Sequence, residues 1–493
     1  MGKFKLSKSA YCNAIQCNKI LWLDKYKPEM QEDLNLDAIL KKGEEVGEEA
    51  RKIFGEYHNV EYNPNLAKML NDTEELIESG AEIITEASFV YDNNFCSIDI
   101  LKNHDGSLDI YEVKSSTEVK DIYIDDLAYQ YYVLKKLGYK INSANLIYLN
   151  NKYYRQGELE LDKLFIIQDL TSSVEVKQEE VAKKIEIINE YMKEKEEPVK
   201  DLSPYCFEPY NCKYWSYCSK HLPENNVFKI AGMLKKEKFK HYYAGNYSFE
   251  ALRYNNLKPK YLEQVIFELD NLPPKIEVDE IITFLDELYY PLYFLDFETY
   301  QQAIPLYDGI NPYMQIPFQY SVHYLEKEGG ELKHLAFLAP HGEDPRKILV
   351  ENLVKDVPVN ACVLAYNMGF EKGVLKNLAK AFPELESSLM LIHDHIKDLM
   401  FPFQKRYYYA KEMAGSYSIK KVLPIFFPND YKLNYQNLAL IHDGNEAMNA
   451  FAELTKMSNE EAEEYRAALL KYCELDTLAM VRIWEALKKI CNY

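Results

Sequence analysis

With 493 residues and a formal net charge of −20, the chain is too long for one ordinary core, so two or three domains are expected. It is also too acidic for a generic nucleic-acid coat, whose phosphate contacts need a basic surface. An apolar content of 47% supports folding throughout, yet no apolar stretch approaches the roughly 20 residues of a membrane crossing. The start, Met1-Gly2-Lys3-Phe4-Lys5-Leu6, lacks a signal peptide's apolar core, so a cytoplasmic protein with no membrane partner is expected. Its nine cysteines then suggest metal ligation or nothing, rather than disulfides.

In chain order, Ser7-Lys8-Ser9 leads to Cys12, Cys17 and the apolar run Ile20-Leu21-Trp22-Leu23. A helix charged on one side is expected over 37–54, carrying Gly43-Glu44-Glu45-Val46-Gly47. Next, Ile98-Asp99-Ile100 and Ile110-Tyr111-Glu112-Val113-Lys114 flank Asn103-His104-Asp105-Gly106. Asp-Gly is a strong turn signal, so the two runs should pair as a hairpin. Alternation then puts Glu112 and Lys114 on one face. An Asp with a Glu can hold a divalent cation while a lysine orients water and balances phosphate charge. Asp126-Leu127-Ala128-Tyr129-Gln130 begins an amphipathic helix, and a second charged helix is expected over 176–196. Cys206, Cys212 and Cys218 follow, a C-x5-C-x5-C run in a stretch without helical or strand period. Three thiolates need a fourth ligand for tetrahedral zinc or a four-iron cluster, and Cys12 and Cys17 are the candidates. Cys96, Cys362, Cys473 and Cys491 sit singly in apolar surroundings and read as core or incidental residues.

An early Cys, then Asp…Glu-x-Lys, Gln and three late Cys is an order that resembles the iron–sulfur RecB-like nucleases of the PD-(D/E)XK class, including CRISPR-associated ones and AddB-type helicase–nucleases. The resemblance implies a nuclease module over 1–225. In it Asp99, Glu112, Lys114 and Gln130 would be catalytic, with a cation on Asp99 and Glu112. It also implies a [4Fe–4S] cluster, with Zn²⁺ as runner-up, on Cys17, Cys206, Cys212 and Cys218. Cys17 takes the fourth place because Ser7-Lys8-Ser9 followed by Cys17-Asn18-Lys19-Ile20-Leu21-Trp22-Leu23 resembles that family's entry motif. One position departs from the family. Its Gly-x-x-x-His has Gly47 here in place of His, so that ligand is either missing or replaced by Glu44 or Glu48.

Residues 226–285 read as a helical connector, broken most clearly at Asn271-Leu272-Pro273-Pro274. Its basic stretch, with Lys235, Lys236 and Lys238, reads as a solvated helix face; in the alternative, Phe228, Phe239, Tyr242 and Tyr243 would stack bases.

Beyond it, the apolar run Leu292–Leu295 reads as a buried strand whose alternation sets Asp296 and Glu298 on one face. Tyr366-Asn367-Met368-Gly369-Phe370-Glu371 reads as a helix start. A helical pattern from about Glu461 to Lys488 places Tyr472 and Asp476 one turn apart on one side. These three segments, with Asp398-Leu399 and Ser418-Ile419-Lys420-Lys421 between the last two, resemble the DEDD superfamily of 3′→5′ exonucleases. That superfamily is the DnaQ-like branch of the ribonuclease H fold, and Tyr472-x-x-x-Asp476 resembles its tyrosine variant. The resemblance spans 286–493. It implies that Asp296, Glu298, Glu371 and Asp476 hold two Mg²⁺ or Mn²⁺ ions roughly 4 Å apart, with Tyr472 orienting the attacking water. Glu371 stands where that family usually has Asp.

The whole order resembles one bacterial family that fuses a RecB-like, four-cysteine nuclease module to a DnaQ-like domain. The expected fold class is therefore α/β. A PD-(D/E)XK-like module and a helical connector would precede a ribonuclease H-like domain with a mixed sheet flanked by helices. The expected function is metal-dependent 3′→5′ exonuclease action, with DNA favoured over RNA as partner. The alternative is an RNA 3′ exonuclease whose N-terminal module only grips strands.

Overall fold

Alternating burial along Asn94–His104 and Ser107–Lys114 creates the central hairpin of the first sheet. Ile98, Ile100, Leu108 and Ile110 are fully buried, and Asp99 and Asp109, each between two of them, are partly solvated. The computed structural model describes residues 6–32, 36–104 and 107–493, the side chains of 36–40 excepted. The expected Asp105-Gly106 turn and the start Met1–Lys5 lie outside the described residues. The two strands nevertheless pair antiparallel down to His104 opposite Ser107, as a hairpin requires.

The chain divides into two units, one of residues 1–222 with 302–313 and the other of 223–301 with 314–493. The stretch expected as a separate connector, 226–285, groups with the second unit, and the short segment 302–313 with the first.

The first unit holds a seven-stranded mixed sheet. Its strands are β1 (Leu6–Ser7), β2 (His58–Asn59), β3 (Ile83–Tyr91), β4 (Asn94–His104), β5 (Ser107–Lys114), β6 (Lys140–Leu149) and β7 (Phe165–Asp169). They run in the order β2-β3-β4-β5-β6-β7, with β1 parallel to the start of β4. The helices Lys8–Gln16, Asp121–Lys136 and Gln178–Tyr191 bury Tyr11, Leu127, Tyr129 and Ile185 against one face of it. Helix Asp121–Lys136 begins five residues before the expected Asp126, because Tyr123 and Ile122 are buried with the rest of its apolar face.

The second unit is built on a five-stranded mixed sheet in the order β11-β10-β9-β12-β13. A short β8 (Lys275–Ile276) pairs separately with β14 (Tyr408–Tyr409). In the main sheet β9 (Leu292–Tyr300), β10 (Ile316–Leu325) and β11 (Lys333–Leu338) are antiparallel neighbours. On the other side β9, β12 (Cys362–Ala365) and β13 (Ile396–Asp398) run parallel. Both faces are covered. Helices Arg346–Asp356 and Met368–Ala381 bury Leu349, Leu353, Val374 and Leu378 with Leu295 and Val363. The long helix Asn459–Ile490 is held to β10 by polar contacts. Gln319 Nε2 donates to Leu469 O at 2.9 Å, and Thr477 Oγ1 lies 2.7 Å from Ser321 Oγ and 2.8 Å from His323 Nδ1. Among the described residues no helix is long and apolar enough to cross a membrane.

Candidate functional site

In the second unit, β9 carries Asp296 and Glu298 on one face, and the long helix carries Tyr472, Cys473 and Asp476 onto them. Oxygens of both strand carboxylates and the Cys473 thiol lie within 4.8 Å of one another. Cys473 Sγ is 3.8 Å from Asp296 Oδ2. Glu298 and Asp476 are under a tenth exposed and Glu371 is almost fully buried. Burial raises Asp296 well above the ordinary carboxylate range, and the charges of Asp476, Glu298 and Glu371 push it further. Burial likewise raises Glu298, reinforced by Asp476 and opposed by Lys420. Asp476 is pushed up to about 6 by burial, with Tyr435, Lys420 and Tyr472 restraining it. Its Oδ1 accepts from Tyr435 Oη at 2.6 Å. All four carboxylates expected to share cations thus belong to one electrostatic group. Like charges desolvated together are costly unless protons or cations compensate them.

Glu371 is pushed up to about 8, chiefly by burial and also by Asp398. Its Oε2 has no hydrogen-bond partner among the described residues. The expected helix start is there, but its cap differs. Asn367 adopts a left-handed conformation, φ +78°, and its side chain makes no cap hydrogen bond. The carboxylate of Asp398 takes that place, accepting from the N–H groups of Asn367 and Met400 at 3.0 Å and of Met368 at 3.2 Å. The end of β13 therefore fixes the turn that carries Glu371.

Sequence reasoning assigned no role to Lys420 or Tyr435. Lys420 Nζ lies 4.9 Å above the Tyr435 ring and 5.4 Å above the Tyr472 ring, and donates to His442 O at 2.9 Å. Both rings thus adjoin the ammonium, whose charge opposes the raising of Glu298 and Asp476. Burial and the neighbouring carboxylates hold Tyr472 far above the ordinary phenol range, so it stays a proton donor.

In the first unit, the hairpin ladder ends towards the site at Ile100 opposite Tyr111. Beyond it the N–H of Val113 donates to Asp99 Oδ2 at 2.7 Å. Glu112 is buried and accepts from Lys114 Nζ at 2.5 Å and from Gln130 Nε2 at 2.6 Å. The four expected residues do converge. Two others join them. Lys114 also donates to Asp126 Oδ2 at 2.6 Å. Lys8 Nζ lies 2.9 Å from each Glu112 oxygen, 3.8 Å from Asp99 and 3.9 Å from Asp126. Asp99 is pushed up to about 7 by burial and by Glu112, against the pull of Lys8 and Lys114. Glu112 falls below the ordinary range because the two lysines outweigh its burial. Gln130 Oε1 is buried without a partner among the described residues.

A cavity of about 520 Å³ opens onto Asp99, Glu112 and Lys114 and is walled by Gly43, Glu44, Gly47, Glu48, Arg51 and Glu86. Apart from its chain neighbours and its own helix backbone, nothing lies within 4 Å of where a Gly47 side chain would begin. Glu44 and Glu48, the expected replacements for histidine, thus face the same cavity. Glu86 stands at φ +56° and pairs with Arg51 at 2.5 Å, a strained position of the kind found at sites.

Cys17, Cys206, Cys212 and Cys218 line one small cavity of about 20 Å³. Cys12 does not. It packs against the main core, its thiol raised by burial and by Asp126. Cys17 ends one helix and begins the next, and Gln16 Nε2 donates to the carbonyls of Tyr205 and Tyr210 at 2.7 Å, tying the late cysteine segment to the early one. Cys218 belongs to a short helix, Trp215–Ser219, in what was expected to be loop. Burial and its three companions push the Cys212 thiol up to about 12.

Residues 293–418 match a family described as "Domain of unknown function (DUF2779)". The match takes in Asp296, Glu298, Glu371 and Asp398. The chain is 28% identical over 219 residues to the Mycoplasma genitalium "Uncharacterized protein MG366", covering 38% of this chain. It is 27% identical over 223 residues to the Ureaplasma parvum "Uncharacterized protein UU173", covering 40% of this chain. In each case the matched part spans 31% of that relative's length. No solved structure matches the chain.

Proposed function

We propose that this protein is a metal-dependent nuclease whose second unit removes nucleotides from 3′ ends. The observation that carries the reading is the gathering of four interacting carboxylates from three chain segments, Glu298, Glu371 and Asp476 buried and Asp296 half-buried, with a phenol beside them. The mixed sheet flanked by helices supports the likeness to the ribonuclease H fold. The donor set fits divalent cations: the carboxylates are hard oxygen ligands, and Glu371 Oε2 lacks any other partner among the described residues. Mg²⁺ or Mn²⁺ held by Asp296, Glu298, Glu371 and Asp476 would supply an activated water and charge stabilisation at the leaving 3′ oxygen. Tyr472 holds Asp476 on one side and presents its hydroxyl to the reacting water. Lys420 balances part of the acidic charge near the incoming phosphate.

The first unit has the elements of a PD-(D/E)XK site in Asp99, Glu112, Lys114 and Gln130. Cys17, Cys206, Cys212 and Cys218 line one cavity and offer the four thiolates of a [4Fe–4S] cluster that closes the module; no three of their sulfurs lie within 4.8 Å of one another, a spacing wider than a single Zn²⁺ takes. One observation favours a strand-gripping role for this unit: the Lys8 ammonium stands among its acids at ion-pair distance, where a cation would sit.

The test is end-labelled single- and double-stranded DNA and RNA with Mg²⁺ or Mn²⁺. Stepwise shortening from the 3′ end is expected, at least a hundredfold slower in Asp296→Ala, which would also lose bound Mn²⁺. Unchanged trimming by that variant would sink the assignment. Cleavage that persists in Asp296→Ala and disappears on adding Lys114→Ala would make the first unit a second nuclease.

A further inference from the structure

We infer that Cys473 is a metal ligand, which makes the cation site of the second unit a mixed oxygen–sulfur site with affinity for thiophilic divalent ions. The inference rests on the metal-dependent reading above and goes beyond it in naming the ligand set. Sequence context marks Cys473 as core, one apolar-flanked cysteine among several. The structure sets it apart from Cys96, Cys362 and Cys491. Its sulfur, an Asp296 oxygen and a Glu298 oxygen lie within 4.8 Å of one another, and no other such trio occurs among the described residues.

The spacing suits one ion. A sulfur about 2.3 Å and an oxygen about 2.1 Å from a metal, 3.8 Å from each other, subtend roughly 120° at it, near the tetrahedral angle. A second observation points to a ligand at the same place. Glu371 is buried, its charge acts on Asp296 and Glu298, and its Oε2 has no partner among the described residues. Two strand carboxylates and the thiolate make the ligand trio, and Glu371 adds a nearby buried carboxylate whose charge acts on both acids of it. Binding replaces the S–H bond by a metal–sulfur bond, and the thiol proton passes to the buffer. Soft thiolate ligands favour zinc-like ions, whereas carboxylates alone suit magnesium and manganese. Zn²⁺ and Cd²⁺ should therefore displace Mn²⁺ from this unit.

The experiment is cadmium NMR on the full-length, metal-stripped chain. Besides any four-sulfur signal from the first unit, the wild type should give a resonance shifted from the all-oxygen region by one thiolate, absent in Asp296→Ala. In Cys473→Ser that resonance should move into the all-oxygen region, Zn²⁺ affinity at the site should fall at least tenfold, and Mn²⁺ affinity should stay within twofold. Cys473→Ala guards against a serine-specific effect on folding. A wild-type signal that Asp296→Ala removes but that lies in the all-oxygen region overturns the sulfur assignment alone. If Asp296→Ala leaves every cadmium signal in place, the cation site itself is refuted, and the proposed function with it.

Discussion

Glu371 ties the site's chemistry to the protein's stability. An ordinary glutamate ionises near 4.5, and here burial pushes the group up to about 8. The folded protein therefore binds a proton that the unfolded chain has released throughout that window, so without metal this group's contribution to stability falls as pH rises from about 4.5 to 8. Glutamine cannot ionise. Chelator-treated Glu371→Gln should match the wild type in urea unfolding near pH 5 and exceed it by a few kcal/mol at pH 8, since each tenfold change in proton affinity is worth about 1.4 kcal/mol. Mn²⁺ should erase that difference, because it binds the ionised wild-type carboxylate. Parallel stability curves would show that Glu371 does not titrate in the site. Lys8 poses the converse case. Its ammonium sits 2.9 Å from both Glu112 oxygens, so it competes with a divalent ion there. In an Asp296→Ala background, Lys8→Met should tighten Mn²⁺ binding about tenfold, or about 1.4 kcal/mol, by calorimetry. Weaker binding would make Lys8 a support of the site instead.

At the scale of elements, Asp398 joins a strand end to a helix start by accepting three backbone N–H groups. Loss of a cap costs about 0.5–2 kcal/mol, and this carboxylate also serves the following turn. Asp398→Ala should therefore destabilise the second unit by about 2 kcal/mol in urea and slow trimming severalfold, while Asp398→Asn should recover most of the stability. An unchanged Asp398→Ala would mean that the helix start holds without it. Elements of this kind were legible in the sequence where period and spacing are local. The alternation of β4, β5 and β9 placed Asp99, Glu112, Asp296 and Glu298, and the 3.6-residue period placed Tyr472 and Asp476. Capping was not legible, because Asn367 has the right residue type and the structure takes the oxygen from a residue 31 positions on. Lys8 reaches Glu112 across 104 positions, and Tyr435 reaches Asp476 across 41. No periodicity reports such contacts. Cys473 is the buried residue the sequence led one to expect, but an apolar neighbourhood in sequence does not reveal that the fold brings the Asp296 carboxylate to 3.8 Å from its sulfur.

At the scale of the whole molecule, the two units have separate cores and different supports. The first brings Cys17 to Cys206, Cys212 and Cys218 around one cavity, so a bound cluster would close a loop of nearly the whole unit. A metal held only by the folded form contributes its binding energy to stability. Cys212→Ser should therefore strip the metal and lower the first unit's stability by several kcal/mol. At about 2–4 °C per kcal/mol for a unit of this size, its calorimetric transition should fall by about 10 °C. The second unit's transition is recognisable because Mn²⁺ raises it in the wild type and not in Asp296→Ala. That transition and 3′ trimming should both survive the cysteine change. Trimming lost together with the cysteine-bound metal, while the Mn²⁺-sensitive transition persists, would mean that the second unit cannot engage its substrate without an intact first unit.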